Sequence, residues 1–318
     1  MSMTSPLVSA IVPLFNTERF LAQALDSALA QTWRNLEVVV VDDGSTDSSA
    51  QIADDYARRH PDVIRVIHQR NEGMCHARNT ALAAARGDCF ALLDADDVWL
   101  PHHIQECVAE FERSPRVVLV HADVERIDDR GNSLGRSPRL WNRLGSDAFR
   151  ALYLRREHVV CPTAVFRRDA IDAIGDFDVQ FNRIGCEDRD LWLRMASIGR
   201  IVYIDNVHAH YRLHSANMSG NFERMMQARV RLVDKHTATV RGQPLRRRAL
   251  AAAHCNLGDE LSEVAQRVAA FSAYAHAFGL YPAEHKALRG MLRCLIKRRL
   301  PTRGPGISPA KTEYRLAR

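Results

Sequence analysis

The chain has 318 residues, 46% hydrophobic and 26% charged, an ordinary globular composition with room for one large domain or two smaller ones. Its formal net charge of +6 is unevenly spread: residues 221–318 hold 19 Lys and Arg against 7 Asp and Glu, while residues 1–220 hold 25 against 31. No apolar run reaches the length of a membrane span, Met1–Pro6 lacks the charge and apolar run of a secretory leader, and the seven cysteines show no CxxC pair or zinc-like spacing, so reduced thiols and a cytoplasmic protein are expected.

In chain order, Val8–Val12 predicts a first strand, ended by Pro13 and followed by a loop through Asn16 and Thr17. Phe20, Leu21, Ala24, Leu25, Ala28 and Leu29 then recur at helical spacing within Thr17–Gln31. Leu36–Val41 is a continuous apolar, largely β-branched run that suits a buried strand, and it empties into Asp42-Asp43-Gly44-Ser45-Thr46-Asp47. Ser45 or Thr46 is expected to cap the next helix, which runs to Arg59 before Pro61. Val63–His68 predicts a third strand, Asn71-Glu72-Gly73 a turn, and Cys75–Ala85 a helix carrying Arg78 and Asn79.

Cys89–Leu93 is a fourth short apolar run, and it releases Asp94, Asp96 and Asp97. Asp94 and Asp96 are one residue apart, so a turn can aim both at one point. Carboxylates that close repel unless a cation sits between them. The spacing therefore reads as a site for Mg²⁺ or Mn²⁺, which take hard oxygen ligands; a solvated acidic turn is the plainer alternative. Strand–helix alternation over this region predicts a doubly wound, mostly parallel sheet. The ends of parallel strands lie along one edge, so the acidic residues after Val41 and after Leu93 are expected to converge there.

Beyond Pro101, His102–Arg113 reads as a helix and Val117–Ala122 as a strand. Residues 126–147 read as a polar loop, with a turn at Asp128–Asn132 and with Trp141. Val159–Phe166 is expected to be a strand, Asp169–Ile174 a short helix ended by Gly175, and Gly185–Met195 a helix opening on Glu187 and Asp188, where the helix dipole favours acids. Ile201–Ile204 reads as a strand, and Tyr211–His214 with Ser215–Ser219 closes a first domain at about residue 220. Residues 221–318 form a basic, helical C-terminal extension, with Ala/Leu-rich pieces at Ala249–His254, Leu261–Phe278 and Ala287–Leu295 and a loose end at Leu300–Pro309. Such a tail suits an anionic membrane face or a phosphorylated acceptor. It lacks the interleaved aromatics of a nucleic-acid binder.

The stretches Val8–Asn16, Val38–Asp47, Asn71–Gly73 with Ala77-Arg78-Asn79, Leu92–Pro101, Glu187-Asp188 with Trp192-Leu193-Arg194, and Tyr211–His214 together resemble family 2 glycosyltransferases of the GT-A fold. The resemblance covers roughly residues 7–220, with the motifs in order, and implies a GT-A-type doubly wound, mostly parallel mixed sheet flanked by helices. It implies inverting, metal-dependent transfer of one sugar from a nucleotide-diphosphate donor, with a UDP-sugar favoured, to a hydroxyl of a glycan or glycolipid acceptor. On the matching positions, Asp42 and Asp43 would help hold the base and ribose, and Pro13, Phe15 and Asn16 lie in the loop beside the base. Asp94, Ala95 and Asp96 are the DxD element that binds ribose and metal. Asp188 matches the general base, with Glu187 as second choice, and His214 matches a position that approaches the metal and diphosphate. The QxxRW signature of processive synthases is missing.

Arg78 offers a cation for the diphosphate, although a helix-surface position is the plainer expectation. Trp99, Trp192 and Phe177 suit either sugar stacking or the core. Two other readings stay open. A sugar-1-phosphate nucleotidyltransferase would want a glycine-rich basic loop after the first strand, where this chain has Pro13-Leu14-Phe15-Asn16-Thr17. A non-catalytic nucleotide-sugar-binding protein would not need all the acidic positions.

Overall fold

The computed structural model describes residues 5–137, 147–154, 158–214, 222–239 and 243–296, which contain nine strands and eleven α-helices. Trp141, Ser215–Ser219 and Leu300–Pro309 lie outside the described residues. The chain divides into two units: Met1–Phe149, Glu157–Arg183 and Glu187–Arg212 form the first, and Arg150–Arg156, Ile184–Cys186 and Leu213–Arg318 the second.

In the first unit, β1 (Val8–Leu14) and β2 (Leu36–Asp42) are buried at every residue. Runs apolar on both faces bury only between helices on either side of a parallel sheet, and each buried Val or Ile contributes roughly 1.5–3 kcal/mol. Pro13 does not end β1: the strand continues to Leu14, with Pro13 opposite Val41. β3 (Ile64–His68) pairs with β2 at the sheet's edge and is buried only at Ile64. β4 (Cys89–Leu92) pairs in parallel with the other side of β1.

The strand order is therefore β3-β2-β1-β4. The chain starts at β1, moves outward to β3, then crosses back to β4. That reversal makes the gap between β1 and β4 a topological switch point, where open α/β sheets bind ligands beyond their carboxyl ends. The connections are α1 (Leu21–Leu29), α2 (Ser49–Arg59) and α3 (Met74–Ala84). Helix α1 buries Leu21, Ala24, Leu25 and Ala28, the face its spacing predicts. Neither Ser45 nor Thr46 caps α2, which starts four residues later than Ser45, at Ser49.

β5 (Val98–Trp99) leads into α4 (His103–Arg113) and β6 (Val117–Ile127). β6 runs five residues past the expected Ala122, because β7 (Ser133–Arg136) folds back on it as a hairpin over the Asp128–Asn132 turn. Part of the expected 126–147 loop is thus sheet. Within the expected strand Val159–Phe166, a 3₁₀ turn at Cys161–Thr163 leaves only β8 (Val165–Arg167) in the sheet. β8 is antiparallel to both β4 and β6 and makes the sheet mixed.

Next come α6 (Arg168–Ile174) and α7 (Glu187–Ala196), and then β9 (Arg200–Arg212). β9 has 13 residues where the apolar pattern marks only Ile201–Ile204. Its polar remainder is carried by parallel pairing with β6 and by β5 across Val98 and Trp99. α5 (Ala148–Tyr153) lies between β7 and β8 in sequence.

The second unit holds α8 (Phe222–His236), α9 (Gln243–Glu263), α10 (Arg267–Leu280) and α11 (His285–Leu295). The expected single helix Leu261–Phe278 is two: the chain reverses at Ala265, with φ 62°, and Leu261 ends up in α9. Tyr274 is buried at the centre, its hydroxyl donating to Asp259 at 2.6 Å. Gly258 and Gly290 leave room for its ring, since a Cβ at Gly290 would stand 2.4 Å from Tyr274 Cε1.

Candidate active site

Two loops at the tips of β1 and β2 are clasped by side chains. Asn16, at φ 51°, accepts the Thr46 amide on Oδ1 at 2.8 Å, and its own amide donates to Ser45 Oγ at 3.1 Å. Asn tolerates this left-handed backbone better than most residues. Phe15 stands 46% exposed beside it. Asp42 accepts the Ser45 amide and pairs with His68 Nδ1 at 3.0 Å. Asp43 is buried and accepts three donors at 2.8 Å: Gln69 Nε2 and the amides of Glu72 and Gly73. It therefore fixes the loop that opens α3. Gly73 has φ 98°, and a Cβ there would meet Asn182 Oδ1 at 2.4 Å, so only glycine fits.

The fourth strand ends beside β1. Leu92 lies opposite Ile11, the Leu93 amide donates to Ile11 O at 3.1 Å, and Asp94 follows. The turn closes when the Asp97 amide donates to Asp94 O at 3.0 Å. Arg212, at the end of β9, clamps this turn from the other side. Its amide donates to Asp97 Oδ1 at 2.8 Å and its Nε to Asp96 O at 2.8 Å, while Nη2 donates to Gln23 Oε1 at 2.7 Å. The guanidinium lies over the Phe20 ring, 4.7 Å from its centroid. Ala95 is buried in the core, so the turn presents Asp94 and Asp96 while its middle is anchored.

Arg78 is the hub. It is almost wholly buried, against the expected helix-surface position. Nη2 donates to Asp94 Oδ1 and Nη1 to Glu187 Oε1, each at 2.9 Å. Cys161 Sγ is 3.4 Å from Nη2, and Phe177 lies beneath, 5.2 Å from its ring centroid. One guanidinium thus joins the turn after β4 to the start of α7, 109 residues from Arg78 in sequence. Burial pushes the Asp94 carboxyl above its ordinary range; Arg78 draws it back, and Asp96 and Asp188 push it further up. Burial also raises Glu187, opposed by Arg78, and burial with the repulsion of Asp96 and Asp94 drives Asp97 well up. Asp188 is more exposed than Glu187, and its Oδ1 accepts the Arg189 amide at 2.6 Å.

Asp94, Asp96, Arg78, Glu187 and Asp188 are therefore gathered at one place in the first unit. Pro13, Phe15, Asn16, Asp42 and Asp43 stand at the tips of the neighbouring β1 and β2. His214 comes two residues after β9 and belongs to the second unit. Trp99, Trp192 and Phe177 are all buried. Trp99 spends its Nε1 on Pro162 O at 2.7 Å, which makes it a core residue rather than a sugar platform.

Sequence reasoning missed the contributions of Arg212, Gln23 and Cys161, and named Asp97 without its role as the anchor for Arg212. Of the three missed, only the arginine within Tyr211–His214 carried any signal.

A family model described as glycosyl transferase family 2 matches residues 9–175. The chain belongs to glycosyl transferase family 2. The match spans the β1 tip, the β2 tip, Arg78 and the Asp94–Asp97 turn.

An uncharacterized glycosyltransferase of Nostoc sp. is 34% identical over 215 residues, which cover 66% of this chain and 66% of that one. Chondroitin synthase of Escherichia coli is 29% identical over 67% of this family 2 chain but only 30% of its own length. The matched part thus spans less than two thirds of either relative. Among solved structures, a mannosyltransferase from Pyrobaculum calidifontis in complex with GDP-Man and Mn²⁺ superposes with a TM-score of 0.62 at 23% identity, covering 93% of this chain and 82% of that one. S. aureus TarS 1–349 in complex with UDP-GlcNAc gives 0.57 at 19% identity, covering 89% and 91%. At these identities the likeness is one of fold.

Proposed function

We propose that the protein transfers a single sugar, with inversion, from a nucleotide-diphosphate sugar to a hydroxyl of a glycan or glycolipid acceptor. The observation that carries this reading is the Arg78 bridge, which holds the Asp94 turn and the Glu187-Asp188 helix start against one guanidinium. A donor lying at the switch point between β1 and β4 would have its diphosphate at the turn and its sugar toward α7. A UDP-sugar is the proposed donor.

The acidic turn fits a divalent cation. Asp94 and Asp96 offer hard oxygen ligands, Asp96 still pushes Asp94 upward despite the Arg78 pair, and the buried Asp97 Oδ2 has no hydrogen-bond partner among the described residues. Asp94 and Asp96 would hold Mg²⁺ or Mn²⁺, which when bound supplies Lewis acidity and charge neutralisation to the leaving diphosphate.

The protein's own residues do the rest. The Arg78 charge keeps Asp94 nearer to its ionised form than burial alone would leave it. Arg212 fixes the turn that carries Asp94 and Asp96. An acceptor hydroxyl is a poor nucleophile, so a carboxylate on the face opposite the leaving group must take its proton as it attacks. Glu187 is buried and tied to Arg78. Asp188 is more exposed and is therefore assigned as the general base.

Asp188→Asn is expected to lower transfer by about 10²–10⁴-fold while donor binding, measured by calorimetry with Mn²⁺, stays within a factor of about two. Equal loss of both would reject the assignment.

The basic character of residues 221–318 supports a second proposal, that they meet an anionic membrane face where lipid-linked acceptors sit. Cosedimentation of the full chain with anionic and with neutral vesicles tests it, and equal partition would reject it.

A further inference from the structure

A second cluster of ligating atoms lies in the first unit, away from the acidic turn. His103 and Cys107 are one helical turn apart on α4, and His208 faces them from β9. All three are 2% exposed or less. His103 Nδ1 is 3.2 Å from His208 Nδ1 and 3.6 Å from Cys107 Sγ, and the three ligand atoms lie within 4.8 Å of one another. A tetrahedral zinc with Zn–N of about 2.05 Å and Zn–S of about 2.3 Å sets N···N at about 3.3 Å and N···S at about 3.6 Å. The two spacings in this protein match that figure closely.

The surroundings suit the same ion. Glu106 Oε2 sits 3.0 Å from His208 Nε2, the carboxylate-on-imidazole support that orients metal-bound histidines and leaves Nδ1 bare. His103 Nε2 is buried with no hydrogen-bond partner among the described residues, so the proton that Nδ1 shares with His208 can move to Nε2 when Nδ1 ligates. The Trp99 ring packs against His103 with centroids 5.1 Å apart and keeps the cluster apolar. Burial holds both imidazoles below their ordinary pKa, with Glu106 partly opposing this at His208, which favours the neutral form that ligates. Burial pushes the Cys107 thiol well up, a cost the ion must offset as it binds and the thiol proton leaves to solvent.

We propose that His103, Cys107 and His208 form a zinc site that ties α4 to β9, separate from the hard-cation turn at Asp94 and Asp96. His208 and Arg212 stand four steps apart along β9, about 13 Å of strand. The Leu100 amide donates to His208 O at 2.8 Å, and β5, which follows the acidic turn, pairs with β9 beside it. The ion would pin the helix and strand that frame the turn without touching the donor. His103 and His208 are 105 residues apart, so no spacing rule for zinc motifs reveals the set.

The test uses the full chain with saturating Mg²⁺ present, so that the acidic turn is already supplied. Free Zn²⁺ at a hundred times its Kd should raise the melting temperature by roughly 5–10 °C. Co²⁺ should give a tetrahedral d–d spectrum with a thiolate-to-cobalt charge-transfer band, which oxygen ligands at the turn cannot produce. Cys107→Ser should lose the charge-transfer band. His208→Gln, the second variant, should weaken Co²⁺ binding at least tenfold. A wild-type chain that shows no thiolate band, or a band that survives in Cys107→Ser, overturns the proposal and leaves the cluster as a hydrogen-bonded His–His–Glu chain. The wild-type spectrum decides even if neither variant folds.

Discussion

Replacing Arg78 with Met tests whether one buried cation holds the site together. The side chain is 3% exposed, and its partners Asp94 and Glu187 are 22% and 8% exposed. Breaking a buried ion pair by removing one partner costs about 3–5 kcal/mol, because the surviving charge is left unpaired. Here one guanidinium serves two carboxylates, so the upper end of that range is expected near pH 8. At about 2–4 °C per kcal/mol for a unit of this size, the melting temperature should fall by on the order of 10–20 °C.

The loss should depend on pH. Asp94 and Glu187 already sit above their ordinary values in the folded chain. The folded state therefore holds more protons than the unfolded state as pH rises from the ordinary carboxylate range to the raised values, and stability falls across that window. Without Arg78 both values climb further, so the variant should lose more at pH 8 than at pH 5, where the carboxyls are free to take up protons. Arg78→Lys keeps the charge but not the two-pronged geometry, and should recover only part of the loss. Urea denaturation at the two pH values measures this. A loss below about 1 kcal/mol, or the same loss at both, would refute the reasoning.

Asp96→Ala should weaken Mn²⁺-dependent nucleotide binding at least tenfold; calorimetry with and without Mn²⁺ checks it, and unaltered metal dependence would remove Asp96 as a ligand. Gly73→Ala should cost about 1–3 kcal/mol through its left-handed backbone and its clash with Asn182, and Asn182→Ala in the same chain should restore only the clash portion. His68 sits above its ordinary pKa, chiefly through its hydrogen bond to Asp42, with Asp54 adding to it. Its stabilising contribution is therefore present below about pH 6.5 and is lost as pH rises through the raised value. An NMR titration should find the imidazole titrating above the free value, and His68→Gln should flatten the melting profile over that window.

The strands β1, β2 and β4 and the edge they share are legible in the chain because uninterrupted apolar runs must be buried on both faces, and parallel ladders put their exits together. The identities of the acidic residues at those exits are equally legible, since a short strand fixes the point at which the chain leaves the core. What local pattern cannot carry is pairing at long range. The polar half of β9 is strand only because β6 and β5 hydrogen-bond to it, and β7 exists only as the partner of β6. Arg78 shows the same limit most plainly. A lone arginine on a short helix looks solvated, and it is buried because Asp94 and Glu187, from separate elements, each supply a carboxylate to compensate it. His103, Cys107 and His208 likewise become neighbours only when α4 packs on β9. Local periodicity determined the central parallel strands and where acid leaves them; packing alone decided the pairing-dependent strands and which charges and ligating atoms meet, because these depend on contacts between residues far apart in the chain.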